Sequence, residues 1–230
     1  MLDPLGLSYR RVSRPGSGPR DLVHPGWPES TPLVQLTDGS RLRLRPLMRR
    51  DGLDWSEYRT LDEAFLKPVE PTMPEDWEDA HSRSAFWRFL TGLRSAAQRG
   101  QVVPFAIELE GKFAGQVTLG SIQHGSISDC WIGYWVHSAF MGRGVATAAC
   151  ALGTDHAFLR IGLHRVTATY LPDNPASGRV LALNGFRQAG FLHGNLHIDG
   201  RWQDHHLVAQ NREDYRGTCV SRLREQGRLL

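Results

Sequence analysis

Hydrophobic residues alternate with polar ones over 33–46, with a period of two. Leu42 and Leu44 fall on one side of this segment, and arginines lie between them. Such alternation is typical of a half-buried strand, and Asp38-Gly39 just before it suits a tight turn. The pattern therefore predicts a strand, a turn and a second strand before residue 47.

Beyond residue 50 the spacing of apolar residues changes several times between helical and strand-like periods. The pattern predicts helices over 51–60, 74–98, 142–160 and 175–182. It predicts strands over 102–109, 113–122, 130–137 and 164–171, and a closing hairpin of 191–198 and 201–210. Because helices and strands are interspersed in one chain of this length, we expect a single α/β (α+β) domain with a mixed sheet.

Composition divides the chain into three parts. Residues 1–32 are rich in Pro, Gly, Ser and Arg and lack apolar periodicity, which predicts a partly ordered N-terminal arm. Residues 33–215 form the predicted domain, and 216–230 form a basic tail. The chain has no run of about 18 apolar residues and begins with no secretory signal. We therefore expect a cytoplasmic protein that does not bind membranes.

Charge and cysteine content exclude several classes of protein. The net charge is +3, and a mildly acidic middle lies between basic ends, which argues against a nucleic-acid binder. Cys130, Cys150 and Cys219 are odd in number and have no C-x-x-C spacing. A disulfide framework and a zinc ribbon are therefore excluded, and free buried thiols are expected.

The segment 134–149 carries the clearest chemical signal. A strand runs into a loop that contains Gly142 and Gly144, and the loop opens a helix of small residues. Backbone N–H groups at such a helix start converge on one spot and favour a phosphate. The dinucleotide pattern G-x-G-x-x-G is broken at Thr147, and the Gly-Lys-Ser/Thr of NTPase loops is absent. A tight strand–helix connection without a ligand is the alternative.

Residues 141–146 resemble the pyrophosphate loop, Arg/Gln-x-x-Gly-x-Gly/Ala, of the GNAT superfamily of N-acetyltransferases. Gly144 and Ala146 match its last two fixed positions, and Met141 stands where Arg or Gln is usual. Other segments resemble the ribosomal-protein-alanine acetyltransferase branch (RimJ/RimL) in colinear order: 42–51, 66–74, 132–136, 174–180, 185–191 and 198–205. The resemblance covers residues 33–215.

This resemblance implies a GNAT-like fold, with a mixed, mostly antiparallel sheet of about seven strands flanked by about four helices. The sheet would splay between the strands 130–137 and 164–171. The implied activity is acetyl-CoA-dependent N-acetyl transfer onto the N-terminal α-amine of a protein, such as a ribosomal protein. An acetyltransferase of a small-molecule amine and a catalytically silent acyl-CoA-binding module remain alternatives. A monomer and a homodimer are both compatible with the sequence.

The resemblance also implies a cofactor site. The pyrophosphate would bind the amides of 141–146, and the thioester oxygen would accept from a backbone N–H near Val136 or His137. The motif that begins at Asn174 would line the rest of the site. The implied cofactor-binding residues are Val136, His137, Met141, Gly142, Arg143, Gly144, Val145, Ala146, Asn174, Ser177 and Arg179.

The implied chemistry needs a proton donor for the leaving thiolate and a base for the amine. Ser177 matches the serine that has the donor role in this branch, whereas the tyrosine of many other members is Leu181 here. The base is open among Asp129, Glu108 and His137. Because an α-amine has a pKa of about 8, a weak base or a chain of waters would suffice.

Histidines are frequent near the final hairpin, at His193, His197, His205 and His206. No carboxylate stands at ligand spacing from them, so we predict surface or core histidines and no metal site. Leu196, in the same region, occupies the position at which one relative of the branch has a glutamate. The hairpin therefore offers no carboxylate base at that position.

Overall fold

One eight-stranded sheet runs through residues 26–230, the part of the chain that this computed structural model describes. Its strands are β1 (Val34–Gln35), β2 (Arg41–Pro46), β3 (Val103–Leu109), β4 (Lys112–Gln123), β5 (Asp129–Val136), β6 (Arg165–Tyr170), β7 (Arg187–Ile198) and β8 (Arg201–Asn211). They lie in the order β1-β2-β3-β4-β5-β6-β8-β7, and only β5 and β6 are parallel neighbours. The expected mixed, mostly antiparallel sheet is confirmed, with the eight strands that the pattern predicts and one more than the resemblance implies.

Seven α-helices accompany the sheet within 26–230. They are α1 (Gly52–Leu61), α2 (Glu63–Leu66), α3 (Trp77–Ala80), α4 (Arg83–Gln98), α5 (Val145–His156), α6 (Pro175–Leu183) and α7 (Cys219–Glu225). The single helix predicted over 74–98 is two helices, because Ser82 has an extended backbone. Its hydroxyl accepts from the N–H of Ala85 at 3.3 Å and so caps α4, a frequent role of serine.

Helix α5 packs closely on the sheet through small residues. Ala148 and Ala149 are fully buried. A Cβ on Gly153 would lie 3.0 Å from a methyl carbon of Ile132 and 3.1 Å from one of Val117. Larger side chains would push the helix off the sheet, since interiors are close-packed. The small residues thus fix the start of α5 beside the end of β5.

The sheet opens between β5 and β6. These parallel strands pair only over 129–131 and 165–167. Beyond Trp131 they diverge, although β5 continues to Val136 and β6 to Tyr170. The expected splay is therefore confirmed, and it leaves one edge of each strand facing a gap.

The C-terminal segment is folded onto the domain. Helix α7 lies against α5, where the Asp155 carboxylate accepts from the N–H groups of Cys219 and Val220 at 2.7 and 3.1 Å. Leu229 then pairs with Leu36, next to β1. Residues 216–230, which the sequence presents as a tail, thus make specific contacts with the rest of the fold.

The predicted arm, 1–32, falls mostly on residues 1–25, which lie outside the described part of the chain. From Gly26 onward the chain lies on the domain. Trp27 is buried, and the Glu29 carboxylate pairs with the guanidinium of Arg160 at 2.9 Å. The last residues of the predicted arm are therefore part of the packed structure.

The cysteines are free and buried, which confirms the expectation from their number and spacing. Burial raises the pKa of Cys150 to about 12, so this thiol is protonated at neutral pH and a poor nucleophile. Within 26–230, every helix is too short or too polar to cross a membrane.

Candidate active site

A cavity of about 920 Å³ fills the gap between β5 and β6. Its walls are the free edges of these strands, the loop before α5, the first turns of α5 and α6, and the segment around α2. A cavity of this volume can accommodate a large organic ligand. The splay of the sheet therefore creates the cavity. Different segments of the chain line its two ends, so the two ends present different chemical groups.

The loop before α5 forms one end of the cavity. Gly142 and Gly144 have φ values of +74° and +80°, a left-handed conformation that favours glycine. A Cβ on either residue would meet no atom within 4 Å, so the space in front of the loop is open. The N–H groups at the start of α5 face this space and, with the helix dipole, favour an anion. Of the cofactor-binding residues predicted in this loop, Met141, Gly142, Gly144, Val145 and Ala146 line the cavity.

The backbone of β5 offers a hydrogen-bond donor along the wall. The N–H of His137 donates to the carbonyl of Ala114 on β4 at 3.0 Å. Bonded and non-bonded pairs alternate in an antiparallel ladder, and Val136 is the next residue, opposite Gly115. The N–H of Val136 therefore turns away from β4, toward the gap. The N–H of Val136 is thus open to the cavity, whereas the N–H of His137 is already engaged by β4.

The side chain of His137 is also engaged outside the cavity. Its Nδ1 lies 2.8 Å from Oδ2 of Asp62, which accepts the N–H of Ser138 at 2.8 Å as well. The ring stacks on Tyr58 with a centroid distance of 3.9 Å. Burial raises the pKa of Asp62, but the hydrogen bonds from Ser138 and His137 outweigh it, so the pKa is lowered overall. His137 thus supports the loop before α5 and is not placed to act as a base.

Two hydroxyl groups meet in the middle of the cavity. The Oγ of Ser177, at the start of α6, lies 3.1 Å from the phenol oxygen of Tyr134 on β5. Asn174 caps α6 by accepting the N–H of Ser177 at 3.1 Å, which holds the serine in position. Burial raises the pKa of Tyr134, so the phenol keeps its proton.

Tyr134 is a residue that the sequence analysis did not single out. It precedes Val136 by two residues on the same strand. Side chains two positions apart in a strand lie on the same face of the sheet, so the sequence could have indicated it. Leu181, where many family members have tyrosine, is buried and also lines the cavity. A phenol is therefore present in the site, but it comes from β5 instead of α6.

Three further predicted site residues, besides His137, lie outside the cavity. Asp129 is at the closed end of β5, opposite Arg165 of β6. The guanidinium of Arg143 is bound to the Asp38 carboxylate, with an Nε–Oδ2 distance of 2.8 Å, although the residue belongs to the loop. Glu108 is on β3 and faces two arginines. Neither carboxylate is placed to act on an amine in the cavity.

Glu108 belongs to a buried ion-pair network. One carboxylate oxygen is 2.6 Å from Nε of Arg45 and the other is 2.6 Å from Arg43, while Arg45 also binds Asp51 at 2.7 Å. Burial raises the pKa of Glu108, but the hydrogen bonds from Arg45 and Arg43 outweigh it, so the pKa is below its usual range. The carboxylate therefore stabilises the folded state as an anion.

We expect Glu108→Gln to lower the free energy of unfolding by about 3 kcal/mol, because it leaves the Arg45 charge incompletely paired in the interior. Activity per folded molecule should be unchanged. Since the folded-state pKa of Glu108 is lowered, its stabilisation is present above the unfolded-state pKa and is lost as the pH falls through the folded-state value. Urea denaturation at pH 7 and at pH 3.5 would measure both effects.

Glu110→Gln is the matched control, because Glu110 is 46% exposed and pairs at the surface with Arg41. This substitution should leave the stability unchanged within error. A loss of activity in Glu108→Gln that persists in fully folded enzyme would restore Glu108 as a catalytic candidate.

The other end of the cavity is apolar and partly open. Phe65, Leu66 and Val69 line it from the segment around α2, and Leu196 lines it from β7. Phe65 is 61% exposed and Leu196 is 37% exposed, so both can contact a bound molecule at the mouth. This end is suited to an acceptor that extends out of the cavity.

Direct contacts fix the two walls of this mouth to each other. The N–H of Thr72 donates to the carbonyl of His197 at 2.8 Å, and Pro71 pairs with Ile198. The N–H of Gly200 donates to the Thr72 hydroxyl at 3.2 Å. The segment after α2 and the hairpin of β7 and β8 therefore form one rim.

Glu70 is a carboxylate of this rim that also lines the cavity. It forms an ion pair with Arg59, whose buried guanidinium lies 5.1 Å from the ring centre of Trp55 and 5.0 Å from that of Trp135. Burial lowers the pKa of Arg59 to about 9, which still leaves it charged at neutral pH. Glu70 thus compensates a buried cation and is held by it.

His205 lines the same end of the cavity and is buried. Its Nδ1 is 3.1 Å from the carbonyl oxygen of Gln203. Because a carbonyl only accepts, Nδ1 carries a hydrogen, and Nε2 of the neutral ring keeps its lone pair. His205 is one of the histidines that the sequence predicts to lie on the surface or in the core, and no sequence motif distinguishes it from His206. Within 26–230, no cluster of side chains suited to a metal ion occurs.

Comparisons with known proteins agree with this geometry. Residues 41–187 match the acetyltransferase (GNAT) domain family. The structure of Mycobacterium smegmatis RimJ in complex with CoA-disulfide is 43% identical, with a TM-score of 0.87, over 90% of this chain and 98% of that chain. The ribosomal protein uS5-alanine N-acetyltransferase of Escherichia coli is 29% identical over 83% of this chain and 97% of its own length.

A probable N-acetyltransferase of Bacillus subtilis is 37% identical over 74% of this chain and 94% of its own length. These matches extend over nearly the full length of each relative. They include the loop before α5 and the strands that form the cavity. The chain is therefore an acyltransferase that belongs to the GNAT family, in its RimJ-like branch.

Proposed function

We propose that this protein transfers an acetyl group from acetyl-CoA to the N-terminal α-amine of a protein, such as a ribosomal protein, in the cytoplasm. The observation that carries the proposal is a single cavity with an anion-binding loop at one end and a paired Tyr134 and Ser177 in the middle. The relatives named above are N-acetyltransferases, and one of them was solved with a CoA derivative.

The residues present fit acetyl-CoA. The open space before Gly142 and Gly144 and the free amides of α5 suit a pyrophosphate. Arg179, also on the wall, adds a positive charge, and the N–H of Val136 would bind the thioester oxygen. Bound acetyl-CoA supplies an activated acetyl thioester. The protein's part is then to hold the two reactants together and to move protons.

Tyr134 and Ser177 are the proposed proton donors. A thiol with a pKa near 8.5 leaves more readily when a hydroxyl group protonates its sulfur. The high pKa of Tyr134 keeps its proton available, and the hydrogen bond to Ser177 lets either oxygen deliver it. Asn174 orients the pair by fixing the start of α6.

His205 is the proposed base. It lines the acceptor end of the cavity, and the bond to Gln203 leaves the lone pair of Nε2 available to take a proton. A ring nitrogen with a free lone pair can accept the proton of an α-ammonium group, whose pKa is about 8.

We expect His205→Asn to lower kcat about tenfold at pH 7, because a weak base contributes modestly when the amine is partly neutral. The loss should shrink above pH 9, where the α-amine deprotonates without help. A pH–rate profile on a peptide substrate measures this. His206→Asn is the control, since His206 is adjacent in sequence but does not line the cavity. An equal loss at every pH would show that His205 has only a structural role.

The identity of the acceptor is tested with matched substrates. Acetyl-CoA and a peptide that begins with alanine should release free CoA thiol and gain an acetyl group at the N-terminus, detected by mass spectrometry. The same peptide with a blocked N-terminus should not react. Reaction with small amines but not with peptides would favour a small-molecule acetyltransferase. CoA binding with no turnover on any amine would favour a silent acyl-CoA-binding module.

A further inference from the structure

Arg228, near the C-terminus, lines the cavity together with Gly142 and Gly144 of the loop before α5. The sequence resemblance stops before this residue. Two backbone contacts hold its neighbours on β1: Leu229 pairs with Leu36, and the N–H of Leu230 donates to the carbonyl of Gln35 at 2.9 Å. Arg228 is thus carried to the cavity by a segment that the fold fixes.

The turn between β1 and β2 ties this segment to the loop. The Asp38 carboxylate of that turn binds the guanidinium of Arg143 at 2.7 Å. Hydrogen bonds from Ser40, and then from Arg143, lower the pKa of Asp38 to about 2, so the carboxylate is charged at neutral pH. The loop, the β1–β2 turn and the C-terminus therefore meet at one place.

Among the residues that the structure describes, the guanidinium of Arg228 differs from those of its neighbours in having no protein partner. Arg143 binds Asp38, Arg222 donates to the carbonyl of Asn184 at 2.9 Å, and Arg224 donates to the carbonyl of Leu230 at 3.1 Å. Within 26–230, no ion pair or side-chain hydrogen bond engages Arg228. An exposed arginine with five N–H donors, facing a loop of backbone amides, is suited to a phosphate group.

The loop itself lacks a charged side chain for this purpose. Met141 begins it with a thioether, and the charge of Arg143 is directed to Asp38. Arg179, on α6, approaches the cavity from the other wall. The loop itself provides no free positive charge to the cavity, and Arg228 therefore supplies one.

We propose that Arg228 binds a phosphate group of the CoA nucleotide, so that the C-terminal segment completes the cofactor site. This inference rests on the proposed use of acetyl-CoA. The phosphate is either in the pyrophosphate or on the 3′-position of the ribose, and both present the same chemistry to a guanidinium. A C-terminal residue distant in sequence from the GNAT loop would then contribute directly to cofactor affinity.

Isothermal titration of the full-length protein with CoA and with 3′-dephospho-CoA tests the proposal. We expect Arg228→Gln to weaken CoA binding about tenfold, the usual scale of one partly exposed charge-assisted contact. If dephospho-CoA binds wild type and variant equally, the contact is to the 3′-phosphate. If both ligands lose the same factor, the contact is to the pyrophosphate. Arg228→Lys should recover part of the affinity through its charge.

Arg216→Gln is the control, because it removes the same charge from the same terminal segment at an exposed site outside the cavity. It should leave both affinities within twofold of wild type. Equal weakening by Arg216→Gln and Arg228→Gln, or no weakening by either, overturns the inference while wild-type binding preserves the proposed function. Failure of wild-type protein to bind CoA overturns the proposed function itself. Thermal unfolding of each variant reports whether the segment stays folded.

Discussion

Replacing Gly144 by alanine should weaken CoA binding about 100-fold while lowering the free energy of unfolding by about 1–2 kcal/mol. The residue is at the N-cap of α5 with a φ of +80°, and its missing side chain leaves the approach to the helix amides open. A methyl group there would occupy the space in which a phosphate must come within hydrogen-bond distance of those amides. The effect is on ligand approach, because no protein atom is crowded.

The expected loss of CoA affinity follows from the hydrogen bonds between the helix amides and the pyrophosphate that the methyl group would disrupt. A hydrogen bond from an amide to a charged group contributes about 1.5–3 kcal/mol. Displacing the pyrophosphate from two amides would thus cost at least about 3 kcal/mol, which corresponds to about a 100-fold change in Kd. The strain of a left-handed alanine costs a further 1–2 kcal/mol or so of stability in the free protein, without affecting the ligand.

Gly111→Ala separates these two contributions. Gly111 has a φ of +79° in the turn between β3 and β4, and a Cβ there also meets no atom within 4 Å. Both variants should therefore lose similar stability in thermal denaturation, but only Gly144→Ala should lose CoA affinity by titration calorimetry. Equal CoA affinities in the two variants would mean that the loop before α5 is a plain connection between strand and helix.

Local sequence patterns predict much of this fold and the anion-binding loop at one end of the cavity. The alternation at 33–46 predicts β2, and the strand, glycine loop and run of small residues at 134–149 predict β5, the loop and α5. Each of these signals lies within a few residues, where periodicity and glycine conformation act directly. The order of elements then constrains the sheet to a mixed arrangement.

The surroundings of the candidate site residues depend on contacts that no local pattern contains. Glu108 is an acid on a predicted strand, and only the pairing of β3 with β2 reveals the two arginines that bind it. Tyr134 and Ser177 are 43 positions apart and meet because the sheet splays between them. His205 and Arg228 reach the cavity from the hairpin and the C-terminus, so their roles require the tertiary structure.

The hydroxyl pair allows a sharp test of catalysis. We expect Tyr134→Phe and Ser177→Ala each to lower kcat about 100-fold, with the KM for acetyl-CoA within about twofold of wild type. General acid catalysis contributes on the order of 10²–10⁴ to rate, and water entering the cavity would replace part of it. Tyr58→Phe is the control, since it removes a phenol outside the cavity and keeps the ring that stacks on His137.

The double variant distinguishes a shared role from two separate ones. If Tyr134 and Ser177 pass one proton between them, removing the second oxygen after the first removes nothing further, and the double variant should be about as slow as either single variant. Independent contributions would instead multiply to a loss of about 10⁴. Near-normal kcat in Tyr134→Phe with a large loss in Ser177→Ala would assign the donor role to the serine alone. Near-normal kcat in both variants would indicate that solvent delivers the proton. The protein would then accelerate the reaction by binding and positioning the reactants.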